Sequence, residues 1–141
     1  MDFNSKSMES LLHEIVPFVG VLNIKIDKMQ SGNVKLSYTK SNINLTGEIY
    51  SLCETAAGVL LLSVMEDFLQ WKPVVKESLL TLDKMPFSKV YATGNLSSQR
   101  INNIEKQKDN NKISENLEIL ILDNQCNEIG KSHFNFILRK N

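Results

Sequence analysis

Apolar residues run almost without interruption from Ala56 to Met65, broken only by Gly58 and Ser63. Between Glu48 and Trp71 no residue other than Gly58 disfavours a helix, so the pattern predicts one long helix over that stretch. Such a helix would be roughly 36 Å long. A surface helix shows a single apolar stripe. This one is apolar on nearly every face, so it is expected to be covered on most sides. The segments flanking it alternate with a period of two, which makes a sheet the expected cover.

Residues 1–6 read as a loose start. Ser7 to about Val16 reads as a short helix, with Leu11, Leu12, Ile15 and Val16 as its stripe and Ser7 as its cap. Pro17 and Gly20 close it. Leu22, Ile24 and Ile26 share one face of a strand from Val21 to about Lys28. A turn at Gln30-Ser31-Gly32-Asn33 leads to Val34, Leu36 and Tyr38 on a second strand, which makes a hairpin. Lys72-Pro73 ends the long helix. Val74 to about Asp83 is the third strand, and Met85-Pro86-Phe87 bends the chain. Val90, Ala92, Gly94 and Leu96 mark the fourth strand. Residues 99–112 are polar and read as an exposed loop, or as a hairpin extension of the flanking strands. Leu117–Leu122 and Ile129–Leu138 are the last two strands, joined by a turn at 123–127. The order implies one α+β domain over residues 1–141, a curved antiparallel sheet wrapped around one central helix.

Composition narrows the function. The chain has 141 residues, with 16 basic and 16 acidic side chains and zero formal net charge. That lacks the basic excess of a nucleic-acid protein. Cys53 and Cys126 lie far apart, and His13 and His133 are isolated, so no metal site is expected. There is no phosphate-loop, dinucleotide or nucleophile-elbow motif, and no cofactor is expected. The uncharged run Thr55–Met65 is 11 residues long, against the 20 or so that span a bilayer. With no signal peptide, the expected compartment is the cytoplasm, without a membrane partner.

One carboxylate stands inside the apolar helix. The helical neighbours of Glu54 are Gly47, Tyr50, Ser51, Ala57, Gly58 and Leu61, a face without Lys or Arg. A carboxylate there is either desolvated over a pocket, hence a candidate acid, base or nucleophile, or a surface residue near the helix start. Thr46 or Gly47 would cap the helix, leaving free N–H groups that suit an oxygen carrying negative charge. Gly47 lets a ligand approach the backbone closely. Ser97, Ser98 and Arg100 at a strand end could hold a phosphate-bearing ligand, with Lys106, Lys108 and Lys112 assisting; the alternative is a solvated loop.

The run Gly47-Glu48-Ile49-Tyr50-Ser51-Leu52-Cys53-Glu54-Thr55-Ala56, with this topology, resembles the hot-dog acyl-CoA thioesterases of the phenylacetate-degradation type. In that family a His-Gly-Gly turn opens the central helix, and an Asp follows seven residues after the second Gly. Gly47 takes the second Gly and Glu54 the Asp position. Leu45 stands for the family's His and Thr46 for its first Gly. Asn42 and Asn44 are candidates for its upstream Asn. The resemblance implies a homodimer or a dimer of dimers, with antiparallel helices that set Gly47 of one copy against Glu54 of the other. The Gly47 N–H would polarise the thioester carbonyl, and Glu54 would act as general base or nucleophile. Asn44, Leu45, Thr46, Tyr50, Ser51, Thr55 and Gly58 would border an acyl-CoA or acyl-carrier substrate, with coenzyme A present only as part of it. The alternatives are a non-catalytic hot-dog protein that binds an acyl or aromatic ligand, and a thioester dehydratase.

Overall fold

The computed structural model describes residues 7–10, 22–39 and 46–141. Residues 7–10 are helical; the rest of the expected first helix, like Asn42, Asn44 and Leu45, lies outside the described residues. Six strands follow: β1 Lys25–Gln30, β2 Asn33–Thr39, β3 Trp71–Leu82, β4 Lys89–Asn95, β5 Lys112–Leu122 and β6 Glu128–Lys140. They form one sheet in the order β1-β2-β4-β5-β6-β3, and every neighbouring pair is antiparallel. The central helix, α1, is Thr46–Val64, and a second helix, α2, is Ser98–Gln107.

Helix α1 packs on β1, β2, β4, β5 and β6, which a flat sheet could not offer to one helix, so the sheet wraps it. Ile49, Leu52, Cys53, Ala56, Ala57 and Leu60 are fully buried against it. They meet the inward faces of the strands, where Leu36, Ala92, Ile119 and Phe134 alternate with outward residues. Close approach to β4 requires Gly94: a Cβ there would sit 2.8 Å from Ile119 Cδ1 and 3.0 Å from Leu60 Cδ2. The apolar length of α1 would suit a bilayer by composition, but much of it is core.

Ser63 is the polar interruption in the apolar run, and its role is local. Its Oγ donates to the Leu60 carbonyl at 2.6 Å and accepts from the Gly32 N–H at 3.0 Å. The β1–β2 turn is thereby tied to the last turn of the helix. Gly32 has φ +78°, a left-handed conformation that glycine adopts without strain.

Two expectations differ. The helix ends at Val64 instead of Trp71, and a short 3-10 turn, Phe68–Gln70, delivers the chain to β3. Trp71 is buried, and its indole N–H donates to Asp67 Oδ2 at 3.0 Å, so this segment is held by the sheet and not by helical continuity. The stretch 99–112 is not a loop: it is α2, a 3-10 turn at Lys108–Asn110 and the start of β5. Its apolar signal is narrow. Ile104 is fully buried and Ile101 packs on the core, while the remaining residues face solvent or bind polar partners.

Candidate active site

Glu54 is exposed, and the residues around it are open too. Thr46 and Gly47 are exposed, and Tyr50, Ser51, Thr55, Gly58 and Leu62 are half-buried. These positions follow the three-and-four spacing of one helix face. The expectation that α1 is covered on most sides therefore holds for the sheet-facing part and fails along this stripe. A Cβ built at Gly47 or at Gly58 would meet nothing within 4 Å, so both glycines border open space.

The polar side chains on the stripe are partly committed. Ser51 Oγ donates to the Gly47 carbonyl at 2.9 Å, and Thr55 Oγ1 donates to the Ser51 carbonyl at 2.7 Å. With their protons on the backbone, both hydroxyls can only accept from a ligand. Tyr50 lays its ring on Phe134, centroids 5.6 Å apart, and its hydroxyl lies 3.0 Å from Ser78 Oγ on β3. The floor beside the stripe is thus the inward face of the edge strand.

Gly47 stands in the first turn of α1, where backbone N–H groups have no partner within the helix. It lies two turns before Glu54, about 10.5 Å along the axis. One reacting carbonyl cannot touch both groups in a single chain, because each must come within about 3 Å of it.

The first turn also holds a group that the sequence reading passed over. Glu48 is buried, at 7% exposure, and faces Tyr38 of β2, itself 2% exposed. Burial and then the Glu48 carboxylate hold the Tyr38 hydroxyl protonated far above its ordinary range. Five residues further along α1, burial pushes the Cys53 thiol up to about 11. The signal for Glu48 was its place in the first turn, where an acidic side chain complements the helix dipole; its burial depends on β2.

Ser97, Ser98 and Arg100 do not join this site within one chain. Ser97 caps α2, its Oγ accepting from the Arg100 N–H at 3.2 Å. The Arg100 guanidinium holds Glu115 Oε1 through Nε at 2.9 Å and also binds the Asn116 carbonyl. Ile101 packs by Gly32, which places α2 at the Ser63 end of α1, opposite the Gly47 end. Lys108 bonds Asp67 Oδ1 and Glu105 Oε1, each at 3.0 Å. A cleft of about 370 Å³ opens there, lined by Ser31, Ser63, Val64, Glu66, Asp67, Glu105 and Lys108. Its acidic lining does not suit a phosphate. Among the described residues, no group of three His, Cys, Asp or Glu side chains could hold a metal.

No protein-family model matches the sequence, and no curated protein matches it. Solved structures do. A Pseudomonas aeruginosa protein of unknown function, a probable thioesterase, superposes with a TM-score of 0.85 at 22% identity, covering 100% of this chain and 99% of its own. A Staphylococcus aureus thioesterase enzyme, solved as a mutant, matches with a TM-score of 0.69 at 14% identity, over 88% of this chain and 99% of its own. A hypothetical thioesterase from Streptococcus pneumoniae, solved with coenzyme A, matches with a TM-score of 0.66 at 15% identity, over 92% and 98%. At these identities the likeness is one of fold. With its antiparallel sheet wrapped around α1, the chain has the hot-dog fold, the fold of these thioesterase structures.

Proposed function

We propose that this protein hydrolyses acyl thioesters, with coenzyme A or an acyl carrier as the thiol, at a site built by two copies of the chain. The observation that carries this is the open stripe on α1. Gly47 and Glu54 lie on it together, bordered by Ser51, Thr55 and Gly58, and among the described residues nothing covers it. The coenzyme A bound to the Streptococcus pneumoniae structure supports the choice of thiol.

In this reading the thioester carbonyl oxygen accepts from the Gly47 N–H at the positive end of α1. Glu54 of the second copy takes a proton from water, and the resulting hydroxide attacks the carbonyl carbon. The tetrahedral intermediate collapses, the C–S bond breaks, and the thiolate leaves to take up a proton. Alternatively the Glu54 carboxylate attacks directly, and water then hydrolyses the mixed anhydride. The products are the same, one acid and one thiol. Tyr50, Ser51, Thr55 and Gly58 shape the acyl path, and Thr46, with Asn44 and Leu45 before it, borders the entry.

Thiol release from short, long and aromatic acyl-CoAs, with Glu54→Gln beside the parent, tests this. Turnover in the parent that falls at least 100-fold in Glu54→Gln, with the fold and assembly unchanged, is the expected result. Equal turnover in both removes Glu54 from the chemistry. The exposure of Glu54 in the single chain favours a second reading, a hot-dog protein that binds an acyl or aromatic ligand without cleaving it. Its signature is saturable ligand binding with no thiol release on any substrate.

A further inference from the structure

Strands β3, β6 and β5 lie side by side, and their registers set three cations in one row, Lys72 opposite Arg139 and Arg139 opposite Lys112. In the next row Leu138 and Ile113 are buried in the core, so the three cations point to the opposite face, away from α1. All three are exposed. Like charges directly opposite each other in a sheet repel. Among the described residues none of the three forms an ion pair, and Asp109, in the turn before β5, does not reach Lys112. The following row on the same face, Val74, Ile137 and Ser114, carries no charge. The first carboxylate beyond it on that face, Glu77, is roughly 13 Å away along the strands. That is further than the screening length of about 8 Å at physiological salt. A chain of zero formal net charge thus gathers Lys72, Arg139 and Lys112 in one unbalanced row.

We propose that this row is the docking surface for an acidic, amphipathic helix of an acyl carrier, the protein form of the thiol. The proposal rests on the thioester reading of the site and chooses the carrier over coenzyme A as its substrate. The outer face of a sheet that wraps a helix is convex, so it offers a small anion no enclosing walls. It suits a rod. Neighbouring strands lie about 4.8 Å apart, so Lys72 and Lys112 are anchored roughly 10 Å apart with Arg139 between them. Carboxylates at positions i, i+3 or i+4, and i+7 of a helix span about 10.5 Å. Such a helix, laid across the three strands, meets each cation with one carboxylate. It is also about 10 Å wide, and the row of Val74 and Ile137 lies only about 7 Å further along the strands. The same helix therefore covers that row with an apolar side, and Val74, 56% exposed, is open to it. A bilayer would be met by charge alone, because these rows hold no aromatic or long apolar side chain to enter it. Strand β3 also leads from the row to the site. It carries Ser78, whose hydroxyl meets Tyr50 at 3.0 Å. Ser78 lies about 20 Å along the strand from Lys72, within the reach of a phosphopantetheine arm.

Binding of an apo acyl carrier protein, which has neither arm nor thioester, tests the surface without turnover. The variant is Lys72→Glu with Lys112→Glu. Carboxylates on both sides of Arg139 alternate the charges along the row, so its unfolding midpoint should not fall below the parent's. Lys25→Glu with Lys28→Glu makes the same charge change at exposed positions of β1 and serves as the control. Parent and control are expected to bind the carrier, less tightly as salt rises, and the row variant to bind it at least tenfold more weakly. On an octanoyl-carrier the row variant should show a KM raised about tenfold with kcat unchanged, and on octanoyl-CoA it should match the parent. No carrier binding by the parent, or equal binding by parent and row variant, would overturn the proposal. So would equal losses on the carrier and coenzyme A substrates, which would give the row to the phosphate chemistry that both share. Binding to phosphatidylglycerol vesicles instead of the carrier, lost in the row variant, would give it to a lipid surface and overturn it as well. A parent that binds the apo carrier and hydrolyses neither thioester supports the docking surface and removes the catalytic reading, so the two fail separately.

Discussion

Tyr50 and Ser78 join the open face of the central helix to the edge strand, hydroxyl to hydroxyl at 3.0 Å. The bond is exposed, so its net worth is at most about 1 kcal/mol. Tyr50→Phe should cost no more than that in urea unfolding. Tyr50→Ala also removes the ring from Phe134 and should cost about 2 kcal/mol or more. Equal losses in the two variants would show that the ring contributes nothing.

Glu48 and Glu54 sit six residues apart on one helix and have opposite fates. Glu48 is buried against Tyr38, and Glu54 is exposed. Glu48→Ala should lower stability by about 1–3 kcal/mol, because it leaves the buried Tyr38 hydroxyl without its neighbour. Glu54→Gln should change stability by less than about 0.5 kcal/mol and should act on turnover alone. Chemical denaturation of both variants decides this; a destabilised Glu54→Gln would give that residue a structural role.

Gly58 separates chain stability from site function. A Cβ there meets nothing within 4 Å among the described residues, and Ala is favoured over Gly inside a helix by about 1 kcal/mol. Gly58→Ala should therefore raise the midpoint of unfolding. It also fills space on the stripe, so acyl-CoA turnover should fall at the same time. A variant that gains stability and keeps full turnover would place the acyl path elsewhere.

Asp67 links stability to acid. The Trp71 indole N–H, and after it the Lys108 ammonium, hold its carboxyl below the ordinary range. A depressed folded value means stability that is present above the unfolded pKa of about 3.9 and lost as the pH falls through the folded one. Asp67→Asn should thus be less stable than the parent near neutral pH, with a gap that closes as the pH falls below about 4. A gap of constant size from pH 7 to pH 2 would contradict the ion-pair account.

The two thiols should behave oppositely. Cys126 is exposed, and Cys53 is buried, with its pKa pushed from 9.0 to about 11. Cys126 should label at once with a thiol reagent at neutral pH, and Cys53 only after unfolding. Because the folded value is raised, the Cys53 contribution to stability is complete below pH 9 and is lost as the pH rises towards 11. Rapid labelling of both thiols in the native protein would contradict its burial.

By itself the sequence determined the architecture and most of the stripe. The apolar run from Ala56 to Met65 demanded cover, and period-two alternation in the flanks identified what supplies it. Gly47 and Glu54 fell on one face through helical spacing alone. Where the signal was local, as in the Gly32 turn, the structure agrees. Where placement depended on distant partners, the sequence was silent. Residues 99–112 read as a loop because a helix that buries Ile104 alone needs little apolar sequence. Arg100 read as a candidate for holding a phosphate-bearing ligand because Glu115, which binds it, comes from a distant strand. Glu48 and Glu54 are the same residue type on the same helix, and only the sheet distinguishes them, since burial is set by what packs over a side chain. The bulge at Lys76 likewise exists only in the pairing of β3 with β6.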